Sequence, residues 1–285
     1  MSAVTSSRHG PRATIATLAI LLAMVAVVSL GVGRYDIPFM RVVEILWSPI
    51  SPPAVPVTAT EANVVFTVRM PRILLALLAG AGLALSGATL QGVFRNPLVG
   101  PQVMGVSSGA AFGGTLAILL SFSRYGLLGS AFAFGLSALI IVYGLNGIVA
   151  RRNILALVLA GVVVSGFFGA LVSLVQYLAD TEDKLPAMVF WLLGSFATAN
   201  WEKFWLIAAP VVIGSLLLLG LRWRINLLSI GDEDARALGV NVEPLRWLIL
   251  VLVSCIVAAQ VAVSGIIGWV GLVVPHMARM LVGPD

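Results

Sequence analysis

The sequence contains few charged residues, a single cysteine and only two lysines. Charged residues make up 10% of the 285 residues and hydrophobic residues make up 60%, and the mean hydropathy is +1.06. Soluble domains carry about 25% charged residues, so this composition predicts a membrane protein with several spans. The net charge of +5 does not indicate nucleic-acid binding, because the basic residues lie mostly between apolar segments. Cys255 alone excludes an internal disulfide and a cysteine-based metal site.

The apolar segments also lack ionisable residues at their centres. Such residues mark proton relays and ion pathways in membranes, so their absence argues against a proton-coupled pump or a redox enzyme. Lys184 and Lys203 follow Asp183 and Glu202, so the Gly-Lys-Ser/Thr phosphate loop is missing. The sequence therefore predicts no catalytic, metal or nucleotide site, and uphill transport would take its energy from another subunit.

Hydropathy predicts an all-α, polytopic membrane bundle of about eight transmembrane helices. The predicted spans are residues 13–32, 71–93, 103–122, 127–149, 154–178, 204–221, 247–263 and 265–282. A long loop rich in proline, residues 33–70, separates the first two spans. Arginine is more frequent in the loops that lie inside when the N-terminus is cytoplasmic, so we expect that orientation.

The second and third predicted spans are joined by a short polar elbow, residues 95–98. Pro97 lacks the N–H that a continuing helix needs, and it disfavours the α conformation at Asn96. Small residues recur at every fourth position on both sides of the elbow: Gly80, Ala84, Ala88 and Gly92, then Gly105, Gly109, Gly113 and Ala117. Such stripes allow helices to pack closely in lipid.

A second polar segment, residues 226–246, contains the pattern of a short capped helix. The carboxylates of Asp232, Glu233 and Asp234 favour a helix N-terminus, and Gly239 is typical of a helix C-terminus. A short amphipathic helix can dock in the groove of a partner protein. The same pattern also fits a solvated helix that merely links two spans.

Four segments, in order along the chain, resemble the bacterial permeases that import iron–siderophores, haem and cobalamin. They are RMPR at 69–72, GAGLALSGATLQGVFRNPLVGPQVMGVSSGAAFGG at 80–114, GDEDARALGV at 231–240 and SGIIGWVGLVVPHMARMLVGPD at 264–285. These permeases are the membrane subunits of type II ABC importers. The resemblance covers the chain from about residue 69 to its end.

The resemblance implies a ten-helix permease in the inner membrane that works as a homodimer or pseudo-dimer. Its partners would be two cytoplasmic ABC ATPases, which carry ATP and Mg²⁺, and an extracytoplasmic binding protein. The chain would form one permease domain over residues 1–285, with no cofactor and no enzymatic activity of its own. Because eight helices are predicted instead of ten, we expect it to lack the last two, which makes a working transporter from this chain alone an open question.

The resemblance also assigns roles to individual residues. The coupling helix that contacts the ATPase would comprise Asp232, Glu233, Asp234, Ala235, Arg236, Leu238 and Gly239. Arg69 and Arg72 would dock the binding protein, although snorkelling to the membrane interface is the alternative. One cytoplasmic gate would comprise Asn96, Pro97 and Leu98, and a second would comprise Ile154 and Leu155. The small residues that line the pathway or pack against other helices would be Gly161, Ser165, Gly169 and Ser173.

The substrate implied by the resemblance is an iron–siderophore or a similar bulky metal chelate, moved by alternating access. Haem, cobalamin and molybdate are alternatives within the same family. A channel or facilitator without a motor is an alternative of another class, because it too would lack charged relays. It does not explain the acidic helix. A non-functional fragment is the remaining possibility.

Overall fold

The computed structural model describes residues 10–53, 55–149 and 154–283. Within these ranges the chain is helical and contains no strand. Six helices are long and apolar enough to cross a membrane, and two shorter apolar helices, Val106–Leu119 and Val270–Val282, match the third and eighth predicted spans. The structure therefore confirms the predicted all-α, multi-span bundle.

The helices are numbered here in chain order. They are α1 Pro11–Gly31, α2 Phe39–Trp47, α3 Ala59–Ala62, α4 Met70–Phe94, α5 Val106–Leu119, α6 Arg124–Val149, α7 Ile154–Tyr177, α8 Lys184–Leu192, α9 Trp201–Gly220, α10 Arg222–Ile230, α11 Asp232–Ala237, α12 Val242–Ser264 and α13 Val270–Val282. A π-helical segment, Asn63–Arg69, joins α3 to α4 without a break, and a 3₁₀ turn, Pro101–Met104, precedes α5.

The second span begins earlier than the sequence predicts. The helix runs without interruption from Ala59 to Phe94, so Pro71 does not lie in its first turn. A proline ring clashes with the carbonyl of the residue four positions before it, which here is Thr67. Thr67 lies inside the π-helical segment, whose wider turn accommodates the ring and lets the helix continue.

The described part of the chain divides into two compact units. The first unit comprises the described residues within 1–77, 197–204 and 276–285. Its core contains Leu30, Ile37, Val42, Ile45 and Val65, from α1, the following turn, α2 and the π-helical segment. Prolines lie on either side of α2 and are typical of a loop, so this helix was not predicted from the sequence.

Arg41 ties α2 to the rest of the loop in this unit. Its Nε and Nη2 atoms donate to the two carboxylate oxygens of Glu61 at 2.8 and 2.9 Å, and its Nη1 donates to Glu44 at 2.9 Å. The same guanidinium donates to the carbonyls of Val55 and Pro56. These side-chain hydrogen bonds to Glu61 and Glu44 raise the pKa of Arg41. The loop before α3 is therefore fixed by one fully engaged arginine.

The second unit comprises residues 78–196 and 205–275, and its closest helix pair is α5 with α6. Ser130 donates its hydroxyl to the carbonyl of Gly113 at 2.7 Å. A Cβ atom on Gly109 would lie 2.9 Å from Ala138 Cβ and 3.1 Å from the carbonyl carbon of Phe134. The stripe predicted on the third span is therefore a close-packing surface.

The stripe predicted on α4 does not carry that helix's closest contacts. Gly80 has no atom within 4 Å of an added Cβ, whereas Gly82 and Gly87 pack closely. Gly82 lies under Val211 and Ile256, and Gly87 lies against the backbone of Gly271. The face with the regular four-residue spacing is half-buried, and it is not the face that makes the closest contacts.

The α5–α6 contact generates a stability prediction. We expect Gly109→Ala to destabilise the protein, because the new methyl group clashes with the α6 backbone, at a typical overpacking cost of about 1–3 kcal/mol. The matched control is Gly144→Ala in α6, where an added Cβ meets nothing within 4 Å and helix propensity improves. Thermal unfolding in detergent should show a Tm lower by about 2–6 °C for the first variant and unchanged or higher for the second. Equal melting temperatures would contradict close packing at Gly109.

Candidate functional site

The 226–246 segment contains the predicted capped helix, α11. Gly231 precedes it with φ 140° and ψ 155°, and Asp232, Glu233 and Asp234 occupy its first turn. At its end Gly239 has φ 82°, and its N–H donates to the Arg236 carbonyl at 2.9 Å. The Val240 N–H donates to the Ala235 carbonyl at 2.9 Å, which completes a Schellman cap. The helix ends therefore lie where the acidic run and Gly239 predict them.

The side chains of α11 fall into an inner and an outer set. Ala235 is fully buried. Glu233, Asp234, Arg236 and Leu238 are exposed, and Leu238 exposes 60% of its surface. The outer set combines charges of both signs with one leucine, which is a surface that a partner protein can recognise.

Asp232 differs from the other two carboxylates of α11 because it faces the protein. Both of its carboxylate oxygens accept from Arg246 Nη2, at 2.8 and 2.9 Å, and Arg95 Nη2 lies 3.9 Å from Oδ1. Arg246 is buried at 4% exposure. Partial burial alone would raise the pKa of Asp232, but the hydrogen bonds from Arg246 and the charges of Arg246, Arg95 and Arg236 outweigh it, so the pKa is lowered.

A groove of about 540 Å³ lies beside α11. It was not predicted from the sequence. Its lining includes Trp223 and Arg224 from α10, Leu238 and Gly239 from the end of α11, and Leu248 from α12. Trp223 exposes 72% of its surface. The RWR sequence at 222–224 is the signal that could have indicated this groove.

The elbow between α4 and α5 is an exposed turn. The Leu98 N–H donates to Asn96 Oδ1 at 2.9 Å, and Leu98 exposes 76% of its surface. Arg95 has φ 51°, a left-handed conformation that ends α4. Gln91 Nε2 donates to the Leu272 carbonyl at 3.1 Å, which ties the end of α4 to α13.

The predicted second gate lies at the edge of the described structure. Ile154 and Leu155 are the first two residues of α7, and their side chains lie outside the described part of the chain. The gate roles of these residues, and of Asn96, Pro97 and Leu98, stay predictions.

The small residues of α7 separate into two environments. Gly161 is buried, and a Cβ there would meet the backbone of Val103. Ser165 is half-buried and donates to the Gly161 carbonyl at 2.8 Å. Gly169 and Ser173 are exposed. Packing therefore accounts for the first half of this stripe, while the second half leaves a free surface on α7.

Arg69 and Arg72 have different environments although they are three residues apart. Arg69 is 8% exposed, and its Nη1 donates to the carbonyls of Leu30 and Gly31 at 2.6 and 2.7 Å. Its Nη2 donates to the Tyr35 carbonyl. Leu30 and Gly31 are the last two residues of α1, and their carbonyls have no partner within the helix. Arg69 therefore caps α1.

Arg72 is half-buried and more accessible. Its Nη2 donates to the Ala197 carbonyl at 2.9 Å. Together with Arg34 and Arg69 it lines a cavity of about 500 Å³. The lining residues include no carboxylate, so this cavity carries positive charge.

The 25 residues of α4 rise about 37 Å, which exceeds the roughly 30 Å of a bilayer core. Because Asp232 lies beside Arg95, α11 lies beside the elbow that follows α4.

The apolar helices define a protein with several membrane spans. The model of the FecCD transport family matches residues 20–285, so the chain belongs to that family and is an ABC importer permease.

Relatives in this family carry different substrate names. The chain is 53% identical to the molybdate import system permease protein MolB of Haemophilus influenzae, over 94% of this chain and 79% of the relative. It is 42% identical to a probable iron chelatin transport system permease protein of Helicobacter pylori, over 78% of this chain and 67% of the relative.

A solved structure supports the same fold. The structure titled "An inward-facing conformation of a putative metal-chelate type ABC transporter" is 50% identical and covers 96% of this chain and 82% of its own, with a TM-score of 0.84. The expected membrane permease fold is therefore confirmed, and the chain is a multi-pass membrane protein.

The environment of Arg69 predicts that it stabilises the fold. We expect Arg69→Gln to remove the guanidinium donor from the carbonyls of Leu30 and Gly31, of which only Gly31 also accepts from a backbone N–H, that of Ile37. Loss of the donor to a buried carbonyl typically costs about 1–3 kcal/mol. Its Tm in detergent should fall by about 5 °C. Arg72→Gln is the matched control and should change the Tm by less than about 2 °C. A fall in Tm for Arg72→Gln that equals or exceeds the fall for Arg69→Gln would contradict the capping role of Arg69.

Proposed function

We propose that this chain is the membrane-spanning subunit of an ATP-driven importer in the inner membrane, with its N-terminus in the cytoplasm. Two copies form the pathway, and each copy binds one cytoplasmic ATPase. An extracytoplasmic binding protein delivers the substrate. ATP binding moves the coupling helices, and the two permease copies tilt by alternating access without covalent chemistry in this chain.

The observation that carries the proposal is the geometry of α11. The helix is capped at its end and anchored through Asp232, and it presents Glu233, Asp234 and Leu238 outward. A solvated linker between α10 and α12 needs neither the C-terminal cap nor a buried anchor. A rigid helix with an exposed mixed face suits insertion into a groove of the ATPase.

The cavity around Arg72 supports a docking role. Arg72 lines a positively charged cavity whose named lining residues contain no carboxylate. A carboxylate of the binding protein would therefore find a complementary charge there. We assign contact to Arg72 and Arg34. Arg69, whose donors face α1, supports the docking surface by holding it in shape.

The exposed face of α11 generates the test for ATPase binding. We expect Asp234→Lys and Leu238→Asp to reduce co-purification of the ATPase by at least about tenfold, because a groove contact loses its charge or its apolar anchor. Glu182→Lys is the control, because Glu182 is an exposed acidic residue in the loop before α8. Undiminished ATPase recovery with both α11 variants would contradict the coupling role.

The substrate proposal follows the degree of identity. The sequence predicted an iron–siderophore, but the 53% identity to a molybdate permease over 94% of the chain exceeds the 42% identity to an iron chelatin permease over 78%. We therefore propose molybdate as the first substrate and an iron chelate as the second. Haem and cobalamin are further members of the test panel.

Proteoliposomes that contain the permease, its ATPase and its binding protein distinguish these substrates. We expect labelled molybdate to accumulate with ATP inside, because the motor acts from the cytoplasmic face, and to accumulate at least about tenfold less with ADP. Labelled ferric siderophore, haem and cobalamin serve as parallel probes. Accumulation of one of these in place of molybdate would overturn the substrate assignment. Equal flux with ATP and ADP would favour a facilitator.

A further inference from the structure

We infer that Asp232 is a positioning residue that links α11 to the elbow and to α12, with Arg95 and Arg246 as its partners. This inference rests on the proposed function, because it concerns how movement of α11 reaches the pathway. It also separates Asp232 from the exposed residues of α11, which we assign to contact with the ATPase.

The link to α12 is a buried ion pair. Arg246 lies in the first two turns of α12 and is 4% exposed, and its Nη2 donates to both oxygens of Asp232 at 2.8 and 2.9 Å. A guanidinium removed from water is costly without a carboxylate partner. The pair therefore holds the start of α11 against a membrane-spanning helix.

The link to the elbow is a looser ion pair. Arg95 Nη2 lies 3.9 Å from Asp232 Oδ1, and the Arg95 side chain is 42% exposed. Arg95 is the first residue of the elbow and immediately precedes Asn96. The Asp232 carboxylate therefore lies between two cations that belong to different parts of the chain.

The position of Asp232 has a mechanical consequence. Without its negative charge, Arg95 and Arg246 repel each other, and no attraction holds the elbow to α11. With the charge present, displacement of α11 by an ATPase carries the elbow along. Asp232 thus transmits the movement, and Glu233, Asp234 and Leu238 receive it.

The test measures the accessibility of the elbow and does not depend on the substrate. Leu98→Cys, in a background in which Cys255 is replaced by alanine, places a reactive thiol on the exposed elbow. The maleimide labelling rate is measured in the assembled complex with the ATPase, without nucleotide and with a non-hydrolysable ATP analogue. We expect the analogue to change this rate by at least about fivefold when the link is intact.

The link variants are Asp232→Asn and Arg95→Gln, and their controls are Glu182→Gln and Arg222→Gln. Glu182 and Arg222 are exposed residues of the loop before α8 and of α10. We expect both link variants to retain the ATPase and to show less than about a twofold change in labelling with the analogue. The double variant should be no worse than either single one, because the two residues act through one contact. The controls should respond like the parent.

Three results would overturn the inference. Loss of the ATPase from Asp232→Asn would make Asp232 a contact residue. A full labelling response in both link variants would show that the elbow moves without the link. Failure of every α11 variant to release the ATPase, including Asp234→Lys and Leu238→Asp, would remove the proposed coupling role itself, and the inference with it. Arg95→Gln decides the matter if Asp232→Asn does not fold, since Arg95 is half exposed.

Discussion

The ion pair between Asp232 and Arg246 is the contact on which the position of α11 depends. It fixes a six-residue helix, too short to be stable alone, against a membrane-spanning helix. The Schellman cap at Gly239 fixes the other end. With both ends held, α11 presents a constant exposed face, and a force applied to that face acts on the helices of the bundle.

Charged residues also stabilise helix ends in the first unit. The spans contain almost no ionisable groups at their centres, so charged residues act where helices begin and end. Arg69 satisfies the carbonyls left by α1, and Arg41 binds the loop before α3. Arg72 remains accessible beside them.

Much of this architecture could be predicted from the sequence, for physical reasons. Long apolar runs have few stable forms in lipid other than helices, and Gly239 and Pro97 act through local backbone geometry. Contacts between distant segments could not be predicted. Nothing in the sequence indicates that Arg69 meets Leu30 and Tyr35, or that Asp232 turns inward while Asp234 turns outward. The predicted start of the second span was wrong because the π-helical segment accommodates Pro71 and lets the helix begin earlier.

The family assignment and the geometry of α11 together lead to one central claim, that an anchored helix receives the force of a partner ATPase. An electron cryo-microscopy structure of the permease purified with its ATPase tests this claim most directly. The account predicts that Glu233, Asp234 and Leu238 contact the ATPase while Asp232 stays on Arg246. An ATPase bound elsewhere, or a complex in which Asp232 leaves Arg246 to bind the ATPase, would contradict it.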